Sequence, residues 1–123
     1  MPVTIEEIIQ PSSQDRDDLQ KIYEDAPSWM LDNWRSTDHS SAIARLLDTV
    51  AQTEDQHLYA ARFNHRLLGA LIVDKQNDRW LIHHLCVRQL TRGRGVGSRL
   101  LRVVTQKALT KGKAITLYNP VIR

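Results

Sequence analysis

The stretch that decides the fold is LCVRQLTRGRGVGSRLLRVV, residues 85–104. A short apolar run, Leu85–Val87, is followed by glycines at positions 93, 95 and 97 and then by apolar residues at helical spacing. A helix that begins among glycines exposes unpaired backbone N–H groups, and its dipole places roughly half a positive charge at the same point. Glycine also lets the backbone approach a ligand closely. The stretch therefore predicts an anion site between a strand and a helix.

Three phosphate-binding loops compete for this pattern, and spacing separates them. A P-loop requires Gly-Lys-Ser/Thr, which occurs nowhere in the chain. The dinucleotide fingerprint requires a third glycine where Ser98 stands and an acidic residue about 20 positions later, yet no acid follows Asp78. The third pattern, Gln/Arg-x-x-Gly-x-Gly/Ala, is met by RGRGVG at residues 92–97.

At this motif the chain resembles the GNAT superfamily of N-acetyltransferases. The resemblance implies that the loop holds the pyrophosphate of acetyl-CoA or CoA, and that the strand before it lies beside the pantetheine arm. Arg92 and Arg94 would add charge-assisted contacts to the phosphates. The cofactor-binding residues implied in this way are Leu85, Cys86, Val87, Thr91, Arg92, Gly93, Arg94, Gly95, Val96, Gly97 and Ser98.

Three segments carry a narrower resemblance, to the PanM/PanZ family. They are SSQDRDDLQKIY (12–23), LYAARFNHRLLGA (58–70) and VRQLTRGRGVGSRLL (87–101). That family consists of small acetyl-CoA sensors that activate self-cleavage of the aspartate 1-decarboxylase precursor in pantothenate biosynthesis. The resemblance implies a regulatory protein with the same partner, which would contact a hairpin that carries Arg62 and Asn64. The alternative is a catalytic N-acetyltransferase that transfers acetyl from acetyl-CoA to an unidentified amine.

The candidates for catalysis are few. His84 could serve as a general base, because histidine titrates near neutral pH, although a packed histidine is the favoured interpretation. Tyr118 is a weak candidate for the general acid, and Cys86 on an apolar strand is interpreted as a core residue rather than a nucleophile. The neighbours His83 and His84 point to opposite faces of a strand, so no metal site is predicted.

The order of periodic segments predicts the fold class. Alternation and helical spacing predict strands at 3–9, 57–63, 67–73, 79–87 and 114–118, and helices from Ser12 or Ser13, at 40–51 and from the glycines to about Thr110. We expect an α+β fold, a GNAT-like α/β/α layer sandwich with a mostly antiparallel sheet. The fourth and fifth strands should be parallel, because a helix crosses between them.

The domain organisation follows from length and from the family resemblance. Residues 1–123 are expected to form a single domain. Members of the superfamily usually continue after the fifth strand with a helix and two more strands, which this chain is expected to lack because it stops at LYNPVIR. The open edge of the last strand would allow two copies of the chain to pair as a homodimer.

Composition and charge exclude several classes of protein. With 41% hydrophobic and 25% charged residues, no apolar run of about 20 residues and no signal peptide, the chain is expected to be cytoplasmic and free of membrane contact. Residues 1–55 carry twelve acids and four bases, whereas residues 85–113 carry eight bases and no acid. A basic block favours nucleic acid or a phosphorylated small molecule. Nucleic acid is disfavoured, since no aromatic residues interleave with the arginines.

Overall fold

The computed structural model describes residues 3–27, 30 and 39–117, with the backbone alone for residues 39–41. Its helices are 12, 14 and 15 residues long, and within the described ranges none is long and apolar enough to cross a membrane. The elements in chain order are β1 (Thr4–Ile8), α1 (Ser13–Glu24), α2 (His39–Gln52), β2 (Gln56–Phe63), β3 (Arg66–Lys75), β4 (Arg79–Val87), a 3-10 turn (Gln89–Thr91), α3 (Val96–Thr110) and β5 (Ala114–Leu117).

In the part of the chain that the structure describes, five strands form one sheet in the order β1-β2-β3-β4-β5. Neighbouring strands are antiparallel from β1 to β4, and β4 pairs with β5 in parallel. The predicted mixed sheet and its single parallel pair are confirmed. The parallel pair arises because α3 carries the chain back across the sheet before β5 begins.

Helices cover both faces of the sheet, which gives the expected three layers. On one face, α1 and α2 pack against alternate strand residues such as Leu58, Ala70 and Ile72. On the opposite face, α3 packs through Leu100 and Val104 against the intervening strand positions. Because successive strand residues point to opposite faces, each central strand supplies both cores and is buried on both sides.

The hairpin between β2 and β3 turns in two residues. Phe63 pairs with Arg66, and the turn residues Asn64 and His65 have φ values of 50° and 67°. Two successive positive φ values match the twist of the strands and define a type I′ turn. The predicted hairpin is confirmed, and β3 begins one residue earlier than expected.

The position of α1 is fixed by a buried carboxylate. The hydroxyl of Ser12 caps the helix by accepting the Asp15 N–H at 3.0 Å. One turn on, the 1% exposed Asp18 accepts hydrogen bonds from the Arg66 guanidinium at 2.7 Å and from the Leu67 N–H at 3.1 Å. Burial alone would raise the pKa of Asp18, but these donors outweigh burial and the pKa is lowered. Asp18 therefore joins α1 to the first residues of β3 as a carboxylate.

We expect Asp18→Asn to destabilise the protein by roughly 1.5–3 kcal/mol at pH 7, the range for a hydrogen bond to a charged group. The pKa of Asp18 is lower in the folded state, so its contribution is present above about pH 4 and is lost as the pH falls through the folded-state pKa. Urea unfolding of both proteins at several pH values should show their free energies of unfolding converging in acid.

The exposed Asp17 on the same helix supplies the matched control. Asp17→Asn should change the free energy of unfolding by less than about 0.5 kcal/mol. Equal losses from the two variants would contradict the role assigned to Asp18.

Candidate functional site

The segment from β4 to α3 forms the loop that the glycines predict. Gly93 and Gly95 have φ values of 79° and 83°, in the left-handed region that favours glycine. Gly95 is the N-cap of α3 and offers no side chain to the first turn, which also contains no acid. Its carbonyl accepts the Arg99 N–H at 3.0 Å, so the N–H groups of the first helical residues lie open at this end.

A cavity of about 230 Å³ lies over this helix start. A Cβ atom built on Gly93 or Gly95 would meet nothing within 4 Å, so the open space begins directly at the backbone. The lining residues are Val87, Thr91, Arg92, Gly93, Gly95, Val96, Gly97 and Ser98. Eight of the eleven predicted cofactor-binding residues therefore surround one concave surface.

Two larger cavities lie elsewhere and have a different character. One of about 350 Å³ lies between α1, α2 and β2, with a mostly apolar lining. The other, of about 540 Å³, lies beside the C-terminal half of α3, where Lys75 and Lys111 lie 4.5 and 5.8 Å from the Trp80 ring. Only the cavity at the loop combines a helix start with left-handed glycines among the described residues, and it remains the candidate site despite its smaller volume.

The two arginines of the motif differ in what they contact. Arg92 turns inward: its Nε donates to the Val87 carbonyl at 2.9 Å and its Nη2 donates to the Asp25 carbonyl at 2.8 Å. Arg94 is exposed and has no hydrogen bond or ion pair within the described residues. The sequence does not distinguish them, because both occupy the same basic loop. The hydrogen bonds of Arg92 therefore stabilise the loop, whereas Arg94 is available to contact a ligand.

A β-bulge distorts β4 just before the loop. Ala70 pairs with Cys86 and Ile72 with His83, so Leu71 on β3 faces two residues of β4. One of these two is His84, whose φ of 54° lies in the left-handed region that is uncommon for residues other than glycine. The Tyr23 hydroxyl donates to the His84 carbonyl at 2.8 Å and stabilises the distorted backbone.

Both ring nitrogens of His84 are engaged. Nε2 lies 2.8 Å from the Met30 carbonyl, which can only accept, so Nε2 carries the proton. Nδ1 therefore accepts from His83 Nδ1, which is 2.7 Å away. The expectation that the two rings point to opposite faces is wrong, because the bulge interrupts the alternation of the strand. Burial, together with neighbouring His83, lowers the pKa of His84 to about 4. A neutral ring with no free nitrogen lone pair is a poor general base, so these contacts favour the packed histidine.

Cys86 and Tyr118 complete the positions considered for chemistry. Cys86 is fully buried, its thiol lies 3.4 Å from the Ile22 carbonyl, and burial raises its pKa, which suits a core residue. Tyr118 lies outside the described residues. Among the described residues no group of three or more His, Cys, Asp or Glu side chains could hold a metal ion.

Residues 2–114 match the family model described as the PanZ acetyltransferase (GNAT) domain. The chain belongs to the PanZ family of GNAT domains. The PanD regulatory factor of Escherichia coli is 39% identical over 105 residues, which cover 85% of this chain and 67% of that protein. The PanD regulatory factor of Salmonella typhimurium is 36% identical over 104 residues, with the same coverage of both chains.

Solved structures agree with the family on the fold. The PaiA N-acetyltransferase of Thermoplasma acidophilum, in complex with coenzyme A, has a TM-score of 0.70 at 16% identity and is matched over 97% of this chain and 80% of its own. At this identity the likeness shows the fold alone, and that fold is the GNAT fold expected from the sequence.

The hairpin of this PanZ-type domain presents Arg62 and Asn64 differently. Arg62 is held by two carboxylates: Nε donates to Glu6 at 2.8 Å, and its terminal nitrogens donate to Asp15 at 3.1 Å. These partners raise the pKa of Arg62 still further. Asn64 is exposed at the turn. Asn64 can reach another molecule directly, whereas Arg62 would have to share its guanidinium with α1.

Gly69 is a site residue that sequence reasoning missed. A Cβ atom at this position on β3 would lie 3.1 Å from Val87 Cγ2, 3.3 Å from the Cys86 carbonyl and 3.4 Å from Val96 Cγ1. The absent side chain therefore lets β3, the end of β4 and the start of α3 meet closely beneath the loop. The sequence carries one sign of this close packing, namely a single glycine inside the apolar strand predicted at 67–73.

We expect Gly69→Ala to lower the free energy of unfolding by roughly 1–3 kcal/mol, the range for overpacking a filled core. The backbone carbonyl of Cys86 can move only by displacing β4. Urea unfolding would measure the loss. Ala70→Gly, at the neighbouring buried position, removes a methyl group and serves as the cavity-forming comparison. Unchanged stability in Gly69→Ala would show that the close contact is not required.

Proposed function

We propose that this PanZ-type domain binds acetyl-CoA or CoA at the glycine loop, residues 91–98, with the backbone of Leu85–Val87 beside the pantetheine arm. The observation that carries the proposal is the uncapped start of α3, where left-handed Gly93 and Gly95 border a cavity. A pyrophosphate is the anion that suits several converging N–H groups at a helix start. Coenzyme A in a neighbour of the same fold supports the choice of ligand.

The course of β4, which leads directly into the loop, supports the placement of the pantetheine arm. The register of β4 with β5 runs from Arg79 with Ala114 to Ile82 with Leu117. The last five residues of β4, His83–Val87, lie between this register, which reaches the last described residue of β5, and the loop. An extended ligand arm with amide groups could pair with backbone groups of this segment as a further strand would.

We further propose that the protein is a regulatory acetyl-CoA sensor that acts on the aspartate 1-decarboxylase precursor in pantothenate biosynthesis. The name PanD regulatory factor, carried by relatives at 39% and 36% identity, supports this partner. The partner would contact the β2–β3 hairpin at Arg62 and Asn64. Three further statements remain predictions. They are a homodimer through the edge of β5, a single domain over residues 1–123 and a cytoplasmic location.

The alternative function is catalytic transfer of acetyl to an amine. An acetyltransferase needs a positioned base to remove a proton from the amine and an acid to protonate the thiolate. His84, with both nitrogens engaged and a pKa of about 4, is unsuited to the first task. The sensor is therefore the function that the described residues favour.

The ligand assignment is tested with two glycines of equal backbone strain. Gly95 and Gly112 have φ values of 83° and 74°, and a Cβ atom on either would meet nothing within 4 Å. Alanine at either position should cost about 1–2 kcal/mol of stability from strain. Gly95→Ala alone should weaken acetyl-CoA and CoA binding, by at least about tenfold, because its methyl group enters the phosphate cavity.

Calorimetry with acetyl-CoA, CoA and ATP on both variants measures this difference. Gly112 lies after α3, at the end remote from the loop, so Gly112→Ala should keep wild-type affinity. Equal affinities in the folded Gly95→Ala and wild-type proteins would overturn the site.

The choice between sensor and enzyme rests on turnover. We expect acetyl-CoA to bind with micromolar or tighter affinity, while release of free thiol in the presence of polyamines, amino acids or peptides stays at background. Binding of the decarboxylase precursor should strengthen with acetyl-CoA, and by linkage the precursor should tighten acetyl-CoA binding by the same factor. Robust turnover that falls in His84→Ala or Tyr118→Phe would instead establish an acetyltransferase.

A further inference from the structure

The residue that caps the C-terminal end of α1 contacts the entrance of the glycine loop at three points. The carboxylate of Asp25, the C-cap of α1, accepts the Gln89 N–H at 2.9 Å. The same oxygen lies 3.6 Å from Arg88 Nε, as an ion pair. The Asp25 carbonyl accepts Arg92 Nη2 at 2.8 Å. Three of the five residues that lead into Gly93 are thus held by Asp25.

The helix itself does not explain an aspartate at this position. The C-terminal end of a helix carries partial negative charge, which disfavours a carboxylate and favours a cation. The carboxylate of Asp25 is therefore expected to destabilise α1 itself. The backbone N–H of Asp25 bonds to the helix, but the contacts of the carboxylate are with the loop entrance, at Arg88 and Gln89.

Arg92 extends this contact to the sheet. While Nη2 binds the Asp25 carbonyl, Nε donates to the Val87 carbonyl at 2.9 Å, and the thiol of Cys86 lies 3.7 Å from Nη2. The guanidinium therefore bridges the end of α1 and the end of β4. This bridge sets where the chain leaves β4 and hence where Gly93 and Gly95 stand.

The other end of α1 holds the hairpin by the same chemistry. Asp15 accepts two hydrogen bonds from Arg62 at 3.1 Å, and Asp18 binds Arg66 and the Leu67 N–H. Residues 15, 18 and 25 follow one stripe of the helix, since three and seven positions each bring a side chain back to the same face. The stripe spans about 15 Å, from the hairpin to the loop.

We propose that Asp25 is a positioning residue for the ligand loop, and that α1 thereby couples this loop to the β2–β3 hairpin. The coupling rests on the proposed function, in which the loop binds CoA and the hairpin faces the partner. Asp25 touches no ligand in this scheme. It fixes residues 88–92, so that the helix start meets the pyrophosphate already ordered, and a ligand that orders the loop also restrains α1 against the hairpin.

The test compares hydrogen exchange and CoA affinity in the full chain and three variants. Asp25→Ala removes the carboxylate but keeps the main-chain carbonyl that accepts from Arg92. Asp25→Asn keeps a side-chain oxygen for the Gln89 N–H, and Glu24→Gln changes the exposed neighbouring acid as a control. In ligand-free protein, amides 88–95 should exchange about tenfold faster in Asp25→Ala, with an intermediate effect in Asp25→Asn and none in Glu24→Gln. CoA affinity should fall in the same order, by roughly tenfold in Asp25→Ala.

Coupling is read at the hairpin. Saturating CoA should slow exchange of amides 62–67 in the wild-type protein, and this distant protection should be lost in Asp25→Ala at CoA concentrations that still saturate it. Absence of the protection in the wild type, or its persistence in Asp25→Ala, overturns the coupling through α1.

The remaining outcomes separate this proposal from the proposed function. A wild-type protein that does not bind CoA refutes the ligand site, while exchange in the ligand-free proteins still decides whether Asp25 orders the loop. Unchanged exchange at 88–95 in Asp25→Ala, or a loosened loop with unchanged CoA affinity, overturns the positioning role.

If Asp25→Ala loses protection from exchange throughout the chain, loop exchange is measured in Arg92→Lys instead. Lysine keeps the charge but cannot bridge the two carbonyls. Wild-type loop exchange in that variant overturns the proposal.

Discussion

The carboxylate of Asp18 is the constraint on which the rest of the arrangement depends. A buried charge is tolerated only where donors surround it, and this one receives them from Gln14 on its own helix and from Arg66 and Leu67 on β3. Moving α1 by one turn would separate the buried charge from both of its donors on β3, Arg66 and Leu67. The helix therefore has one position along the sheet, and its C-cap, Asp25, reaches the loop entrance seven residues after Asp18.

Patterns that depend on near neighbours in the chain are predictable from the amino-acid sequence alone. The hairpin at Asn64, the glycine-led start of α3 and the parallel fifth strand each follow from periodicity, glycine placement or a crossover rule. The bulge at His84 is not predictable in this way, because its positive φ is imposed by contacts with Tyr23 and Met30 on distant segments. For the same reason, the sequence does not predict that Arg92 turns inward to contact Asp25.

The basic block illustrates why charge counts mislead when taken alone. The eight bases of residues 85–113 suggest one electrostatic surface, yet the structure divides them by role. Arg92 braces the loop, Arg94 is exposed beside the cavity, and Lys111 covers Trp80 at the C-terminal end of α3, where the helix dipole favours cations. Several acids of the N-terminal half are likewise partners of later arginines, as Asp15 is of Arg62.

Binding and catalysis would make different demands on β4 in the proposed site, and the described residues of β4 suit only the first. A general base must be free to accept a proton near the working pH, whereas the Nε2–H of His84 donates to a carbonyl and its Nδ1 accepts from His83. Its ring instead stabilises a bulge that directs the end of β4 toward the loop. A site that orders the ligand without supplying a base would leave the thioester intact. A protein that reports the presence of acetyl-CoA requires that outcome, because a sensor that consumed its ligand would erase its own signal.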